Sequence, residues 1–320
     1  MEPRGNELIR RYKANYNIPF DADVTEQMIL AHWELERQLA LELLQSTPEN
    51  RWITFERCYT RLYAELDWLN RLIGQANPTP PPERFGRWIE AIGPPPKSVY
   101  EIGSGKGELI SYLAQNGFDC KGTEITRERG RKHVTELHPN LSWGTSDGVH
   151  LDRFEPCEAY DVVVSNQVVE HLHPEDLGAH LKAIFGILKA EGRYVFSTPH
   201  RYTGPHDISQ VFKLDEPKGM HLKEYTYREL VEAIRGAGFS CTYYAFISRR
   251  LRELLVRRGL DRLARTNRLG ILYLRFLLAL EGILSAIPVL RLRRLFAKAL
   301  RKLHVFSDRI SLVAEKEFTS

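Results

Sequence analysis

The chain has 320 residues, with 43% hydrophobic and 27% charged residues and a formal net charge of +4 at pH 7. These are globular values, and the length leaves room for a core domain and about one further small unit. The four cysteines are scattered without paired spacing, which argues against a metal knuckle or a disulfide framework and favours a reducing cytoplasm. The first ten residues are charged and lack an apolar stretch, which predicts no secretory signal.

The N-terminal region, residues 1–74, reads as helical. Asp23 and Glu26 have capping-box spacing and predict a helix over 24–44. Thr47 and Pro48 open a second helix, which Gly74 ends. This region is either a helical hairpin packed on the core or a lid over a substrate, which would supply aromatic side chains such as Tyr12, Tyr16 and Trp33.

A proline-rich linker with a lead-in helix occupies residues 75–97, and its first part, 75–82, is predicted to be extended. The most informative stretch follows it. An apolar strand over 98–102 runs into a loop with glycines at alternate positions, then a helix over 108–116 and a second strand that ends at Glu124. Glycines let a nucleoside-sized ligand approach the backbone, and an acid after the second strand can accept hydrogen bonds from ribose hydroxyls. The loop is Gly103, Ser104, Gly105, Lys106 and Gly107.

The glycine spacing is G-x-G-x-G, whereas a dinucleotide site has G-x-G-x-x-G. Glu101, two residues before the loop, would repel a pyrophosphate and suits a cationic sulfonium ligand. The segment 101–107 therefore resembles the first motif of class I S-adenosylmethionine-dependent methyltransferases; a nicotinamide oxidoreductase is the alternative. The resemblance implies that Glu101 faces the methionine amino group and that Glu124, with Ile125, holds the ribose. The loop residues Gly103, Ser104, Gly105 and Gly107 would supply the points of close backbone approach.

The rest of the chain continues in that family's order. Strands are predicted over 140–144, 160–165, 193–197, 239–247 and 310–315, with helices over 174–189 and 227–237. We expect a doubly wound, mostly parallel, seven-stranded Rossmann-like sheet, with the methyltransferase core over 98–248 and the last strand and tail over 305–320. The resemblance places Asp147 and Gly148 at the adenine, and Asn166 and Gln167 near the sulfonium.

A hydroxyl acceptor needs a base, and histidines after the predicted strands are the candidates. His171 and His200 lead, followed by His206 and His221. The segments 160–172 and 197–200 resemble ubiquinone-type O-methyltransferases, in which a Glu-x-x-Glu-His cluster has been linked to a divalent metal. Gln167 stands at the first position here, so we predict no metal. The segment 221–230 equally resembles sugar methyltransferases of polysaccharide and glycolipid pathways.

The segment 249–304 is a basic helical insertion. Residues 249–302 carry 15 Lys and Arg against three acids, a net +12, so the remainder of the chain carries −8. Residues 290–303 predict an amphipathic helix with an apolar stripe opposite a basic face, and 269–290 is mostly apolar. Binding to an anionic membrane surface, packing or dimerisation of the apolar stripes with a solvated basic face, and RNA binding remain open. A membrane span is disfavoured by Arg275 and Glu281.

The sequence thus predicts a cytoplasmic enzyme, peripheral on the inner face of the cell membrane, that uses S-adenosylmethionine to O-methylate a small or lipid-linked phenol, quinone or glycan. An RNA-directed methyltransferase and a non-catalytic membrane or RNA adaptor are the alternatives.

Overall fold

The computed structural model describes residues 3–126, 138–247, 257–258, 267–303 and 305–317. Seven strands form one sheet: β1 Ser98–Ile102, β2 Asp119–Glu124, β3 Leu141–Thr145, β4 Tyr160–Asn166, β5 Leu188–Pro199, β6 Cys241–Tyr244 and β7 Arg309–Glu315. Their spatial order is β3-β2-β1-β4-β5-β7-β6. The first five run parallel, and β7 lies antiparallel between β5 and β6. The predicted mostly parallel, seven-stranded Rossmann-like sheet is confirmed.

Helices cover both faces of this sheet. One face packs against α5 Pro81–Ile92 and α6 Glu108–Gln115, and the other against α7 Leu177–Ile187 and α8 Tyr227–Gly236. β1 and β4 are central, so their apolar runs are buried on both sides and do not alternate with polar residues. Successive strands are added to one side of β1 as far as β3, and then to its other side from β4 onward, so the strand order reverses between β1 and β4. In such sheets, ligands bind outside the carboxyl ends of the strands at this reversal.

The N-terminal region forms four further helices: α1 Gly5–Asn15, α2 Glu26–Leu44, α3 Arg51–Glu65 and α4 Asp67–Leu72. Together with the loop after β5 they form a third apolar core, which includes Ile208, Phe212 and Met220 of that loop. Trp33 of α2 stacks on Phe212, with ring centroids 4.9 Å apart. These helices therefore lie over the carboxyl end of the sheet.

Several predicted boundaries are corrected at the N-terminus. The cap of α2 is Thr25, whose side chain accepts a hydrogen bond from the Met28 amide, and not Asp23. The second helix begins at Arg51, because Thr47 belongs to a turn in which its amide donates to Asn50 Oδ1 at 2.9 Å. This helix ends at Glu65, and a separate helix, α4, begins at Asp67. The lead-in helix α5 begins with Pro81 and Pro82, two residues that were assigned to the extended linker.

Other boundaries differ within the core. Residues 174–176 form a 3₁₀ turn before α7, and β5 begins at Leu188, earlier than predicted. β6 is shorter than the predicted strand and spans four residues. The insertion contributes α9 Arg268–Ser285 and α10 Leu290–Lys302. Residue 248 of the predicted core and residues 249–256, 259–266 and 304 of the predicted insertion lie outside the described residues. Across the described ranges, no helix combines the length and apolar character needed to cross a membrane.

Candidate active site

The glycine loop after β1 requires residues without a side chain. Gly103 has φ +67°, and a Cβ there would lie 2.6 Å from Cγ2 of Val168. Gly107 is the N-cap of α6 in the left-handed region, with φ +75°. The Gly105 amide donates a hydrogen bond to Glu124 Oε1 at the end of β2, so the loop and the second predicted acid lie together.

A cavity of about 440 Å³ opens at the carboxyl ends of the strands. Eight of the residues predicted to bind the donor line it: Gly103, Gly105, Glu124, Ile125, Asp147, Gly148, Asn166 and Gln167. Glu101, Ser104 and Gly107 do not line it. The structure thus brings together residues from the ends of β1, β2, β3 and β4 that are far apart in sequence.

Glu101 lies at the end of β1, just before the loop, and is buried. Its Oε2 has no hydrogen-bond partner among the described residues. Burial raises the pKa of Glu101 from 4.5 to about 8, and the nearby Glu124 carboxylate also raises it. A cationic amino group would complete this carboxylate, but Glu101 does not line the cavity, so its contact with the methionine amino group stays a prediction. The glycine positions of the loop, two of which line the cavity, fit S-adenosylmethionine.

Asp147 follows β3 and stabilises the turn where the adenine is predicted to bind. Its Oδ1 accepts hydrogen bonds from the amides of Val149 and His150, both at 2.8 Å. Its Oδ2 lies 2.6 Å from His150 Nδ1. The carboxylate therefore fixes the backbone that lines the cavity, and its contact with adenine stays a prediction.

The opposite wall of the cavity comes from the N-terminal helices and the loop after β5. Of the aromatic residues expected there, Tyr16 lines the cavity, whereas Tyr12 and Trp33 do not. The candidate bases His206 and His221 also line this wall, on the loop. Sequence reasoning did not identify the other wall residues, which include His32, Glu36, Phe55, Tyr59 and Tyr63 of the helices, and Asp207 and Met220 of the loop.

A buried polar chain joins that wall to the loop. Tyr12 Oη and His32 Nδ1 are 2.7 Å apart, and His32 Nε2 and Glu36 Oε1 are also 2.7 Å apart. The Met220 amide donates to Glu36 Oε2 at 3.0 Å. Burial alone would raise the pKa of Glu36, but the hydrogen bond and charge of His32 lower it below its ordinary value. The i, i+4 spacing of His32 and Glu36 on a helix was the available sequence signal.

Glu170, His171 and His221 meet beside Gln167, with one ligand-capable atom of each within 4.8 Å of the others. His171 Nδ1 lies 2.9 Å from the Met220 carbonyl oxygen. A carbonyl can only accept, so Nδ1 carries the proton and Nε2 of the neutral ring is the basic nitrogen. The histidine that leads the predicted bases therefore lines the cavity in a tautomer suited to taking a proton.

The two neighbours of His171 have shifted pKa values. Burial raises the pKa of Glu170 to about 7. Burial lowers the pKa of His221, but a 3.0 Å hydrogen bond to Glu224 and the charge of Glu170 outweigh it and raise that pKa to about 9. His221 is therefore an imidazolium at neutral pH. The three residues have the donor types of a divalent-metal site, and the predicted absence of a metal stays a prediction.

His200, the second predicted base, is corrected. It is fully buried and does not line the cavity. Its Nδ1 accepts from the Tyr202 amide, and its Nε2 donates to Glu281 Oε1 of α9 at 2.8 Å. Glu281 also accepts from the Tyr227 and Arg228 amides, so the pair holds α9 to the N-terminus of α8. His200 is a packing residue because the insertion covers the end of β5.

Comparison with known proteins supports the methyltransferase interpretation. The family model described as a methyltransferase domain matches residues 79–244, which is more than half of the chain. A ubiquinone biosynthesis O-methyltransferase from Ralstonia nicotianae is 27% identical over 165 residues, 48% of this chain and 66% of that protein. A probable S-adenosylmethionine-dependent methyltransferase from Mycolicibacterium smegmatis is 30% identical over 172 residues, 51% of this chain and 60% of that protein. The matched part thus spans less than two thirds of each relative.

Among solved structures, a SAM-dependent methyltransferase from Archaeoglobus fulgidus has a TM-score of 0.46 at 16% identity, covering 73% of this chain and 92% of that one. The family match and the donor-fitting loop together set aside the nicotinamide alternative. The chain belongs to the methyltransferase-domain family, and its glycine loop fits S-adenosylmethionine as the donor.

Proposed function

We propose that this protein transfers a methyl group from S-adenosylmethionine to a hydroxyl oxygen of its acceptor, with His171 as the base. The observation that carries this proposal is the position of His171. It lines the same cavity as the glycine loop and follows Asn166 and Gln167 closely in the chain. A single cavity is therefore lined at one end by the residues predicted to bind the donor, and at the other by His171, whose Nδ1 carries the proton.

S-adenosylmethionine supplies an electrophilic methyl group on a cationic sulfur. The chain's own task is to align the acceptor oxygen with that methyl and to remove its proton. Alignment alone accounts for a large part of the rate in such displacements. His171 Nε2 takes the hydroxyl proton, while Nδ1 stays bonded to the Met220 carbonyl and fixes the ring. A positioned base of this kind contributes about 10²–10⁴-fold.

The cavity wall near His171 is suited to an acceptor with polar groups. Two buried atoms of the cavity lining near the base lack a hydrogen-bond partner among the described residues: Tyr59 Oη and Gln167 Nε2. Buried polar groups are normally paired, so acceptor hydroxyls would complete them. Aromatic rings on the same wall offer faces for a phenol or a sugar. We therefore propose a small or lipid-linked acceptor with several hydroxyls, and its methylation at the cytoplasmic membrane face.

The test is transfer of labelled methyl from S-adenosylmethionine to panels of catechols, prenylated phenols and glycolipids. His171→Gln should lower the transfer rate about 10²–10⁴-fold, because the amide cannot accept the proton. Donor affinity measured by calorimetry should change by less than about threefold, because His171 lies at the acceptor end.

His138→Gln is the matched control, since His138 lies outside the cavity, and it should transfer methyl at the wild-type rate. Transfer by His171→Gln at that same rate contradicts the assignment of the base. A donor that binds, but whose methyl reaches only nitrogen acceptors, contradicts O-methylation.

A further inference from the structure

In the helix α10, an arginine faces the core and most of the large apolar side chains face solvent. The side chains that face the core belong to Arg294 and Ala297, both of which are buried. Four large apolar side chains point into solvent instead: Leu292, Leu295, Phe296 and Leu303. Leu300 is half-buried and packs against the core. A surface helix ordinarily buries its apolar stripe and exposes its charges. Packing of the predicted apolar stripe of α10 within the described part of the chain is therefore limited to Leu300, and dimerisation through the stripe stays open.

Specific contacts hold this orientation. Arg294 Nη1 lies 3.4 Å from Asp215 Oδ1 in the loop after β5. Arg293 Nη2 donates to the carbonyl oxygens of Ser285 and Ile287, at 3.1 and 2.7 Å, and its guanidinium lies 5.1 Å from the ring centroid of Tyr202. Arg293 and Arg294 thus find partners on the inner side, although Arg294 Nε has none among the described residues. This orientation leaves most of the apolar side of the helix outward.

The preceding helix α9 adds apolar residues to the same insertion. Its inner face is buried through Leu274, Leu277 and Leu284 and is anchored by Glu281. Its outward residues include Leu272, Phe276 and Ile283, which are exposed. Two consecutive helices thus present large apolar side chains that pack on none of the apolar cores of the described residues.

Basic side chains flank these apolar faces. Arg291, Lys298, Arg301 and Lys302 of α10 are exposed, as are Arg268 and Arg275 of α9. The segment 249–302 carries +12, whereas the rest of the chain carries −8. We propose that the outward faces of α9 and α10 are a docking surface for an anionic lipid bilayer. Apolar side chains would enter the headgroup region while the flanking cations meet lipid phosphates.

The charge argues against the other occupants. A two-fold dimer through this surface would place the same patch of both copies in contact, and the exposed cations of α9 and α10 in the two copies would repel each other. RNA would be bound through charge and exposed aromatic rings, but most of the outward apolar residues are aliphatic. An anionic bilayer satisfies both the charge and the aliphatic side chains.

The experiment is co-sedimentation of the full-length protein with vesicles of phosphatidylcholine alone or mixed with phosphatidylglycerol. Wild type should sediment with the mixed vesicles and stay in solution with the neutral ones. Leu295→Gln/Phe296→Gln should weaken binding about tenfold or more, because two large apolar side chains are removed from the headgroup region. Lys298→Gln/Lys302→Gln should weaken it by a smaller factor, and added salt should do the same.

Matched controls are available on the N-terminal region. Phe20 and Ile53 are 75% and 67% exposed, compared with 65% and 51% for Leu295 and Phe296. Phe20→Gln/Ile53→Gln should bind vesicles like wild type. Lys182→Gln/Arg235→Gln, which removes two exposed cations outside the insertion, should also bind like wild type. The heat of S-adenosylmethionine binding, unchanged in each variant, verifies that it is folded.

Three results would overturn the proposal. One is equal sedimentation of wild type and Leu295→Gln/Phe296→Gln with the mixed vesicles. Another is equal binding of wild type to neutral and anionic vesicles. The third is a wild-type dimer in analytical ultracentrifugation that Leu295→Gln/Phe296→Gln converts to a monomer, which would assign the surface to a second copy. Each result is independent of whether methyl transfer is observed.

Discussion

The two ends of the cavity are built in different ways. The donor end consists of short segments that follow β1, β2, β3 and β4, and each carries its own local signal in the sequence. The acceptor end is assembled from the N-terminal helices and the loop after β5. Its key contacts join Glu36 to Met220, 184 residues apart, and Arg51 to Asp176, 125 residues apart. We therefore expect donor binding to depend on the sheet, and acceptor recognition to depend mainly on the added elements.

The largest effect is expected at the glycine loop. Gly103→Ala would place a Cβ 2.6 Å from Val168 at a positive φ. This should lower the free energy of unfolding by roughly 2–5 kcal/mol and abolish measurable donor binding. Calorimetry and thermal unfolding check it. Gly178→Ala is the control, because that helical glycine has open space around it and should gain stability. Wild-type donor affinity in Gly103→Ala would show that the loop does not approach a ligand.

The next effect concerns the attachment of the acceptor wall. Arg51 is buried at the start of α3 and lies 2.5 Å from Asp176 and 2.9 Å from Glu175. Arg51→Ala should lower the free energy of unfolding by about 2–3 kcal/mol, because it leaves these acids without their partner. Denaturant titration measures it. Arg57→Ala, at an exposed pair with Glu42, should cost about 1 kcal/mol or less. Equal losses in the two variants would contradict the role of Arg51 as the attachment.

A smaller effect is expected on the pH dependence of stability, through the buried carboxyl of Glu101. Its folded-state pKa of about 8 lies above the ordinary 4.5, so the unfolded state releases the proton first. Stability of the ligand-free protein should therefore fall as pH rises through that window. Glu101→Gln should remove part of this fall and raise the melting temperature near pH 8 by about 2 °C or more relative to wild type. Glu34→Gln, at an exposed acid of α2 that pairs with Arg37, should not change the slope. Parallel slopes in wild type and Glu101→Gln would contradict the buried, orphaned carboxylate.

The smallest effect is expected from chelation. Gln167 stands where the ubiquinone-type cluster has its first Glu, so the group Glu170, His171 and His221 lacks one carboxylate, which disfavours a divalent cation among them. Methyl transfer in the presence of EDTA should stay within about twofold of the untreated rate. A tenfold loss that Mg²⁺ or Zn²⁺ restores would establish a metal site and contradict the prediction.

The sequence predicts the donor end of the cavity better than the acceptor end. The sheet and the glycine loop follow from local patterns, because a strand, a side-chain-free turn and an acid at fixed spacing impose one geometry. The wall formed by His32 and Glu36 does not, because its contacts depend on how distant helices pack. The orientation of α10 was also beyond the sequence. Its Arg294 faces inward toward Asp215, 79 residues earlier, and a helical pattern does not specify which face finds a partner.

The central claim is that the glycine loop and Glu124 hold the donor. Calorimetric titration of S-adenosylhomocysteine into wild type and Glu124→Gln tests it most directly. We expect saturable binding at one site per chain in wild type and about tenfold to a hundredfold weaker binding in the variant, because a charged hydrogen-bond acceptor is lost. No binding heat with wild type, or identical affinity in both proteins, would contradict the account.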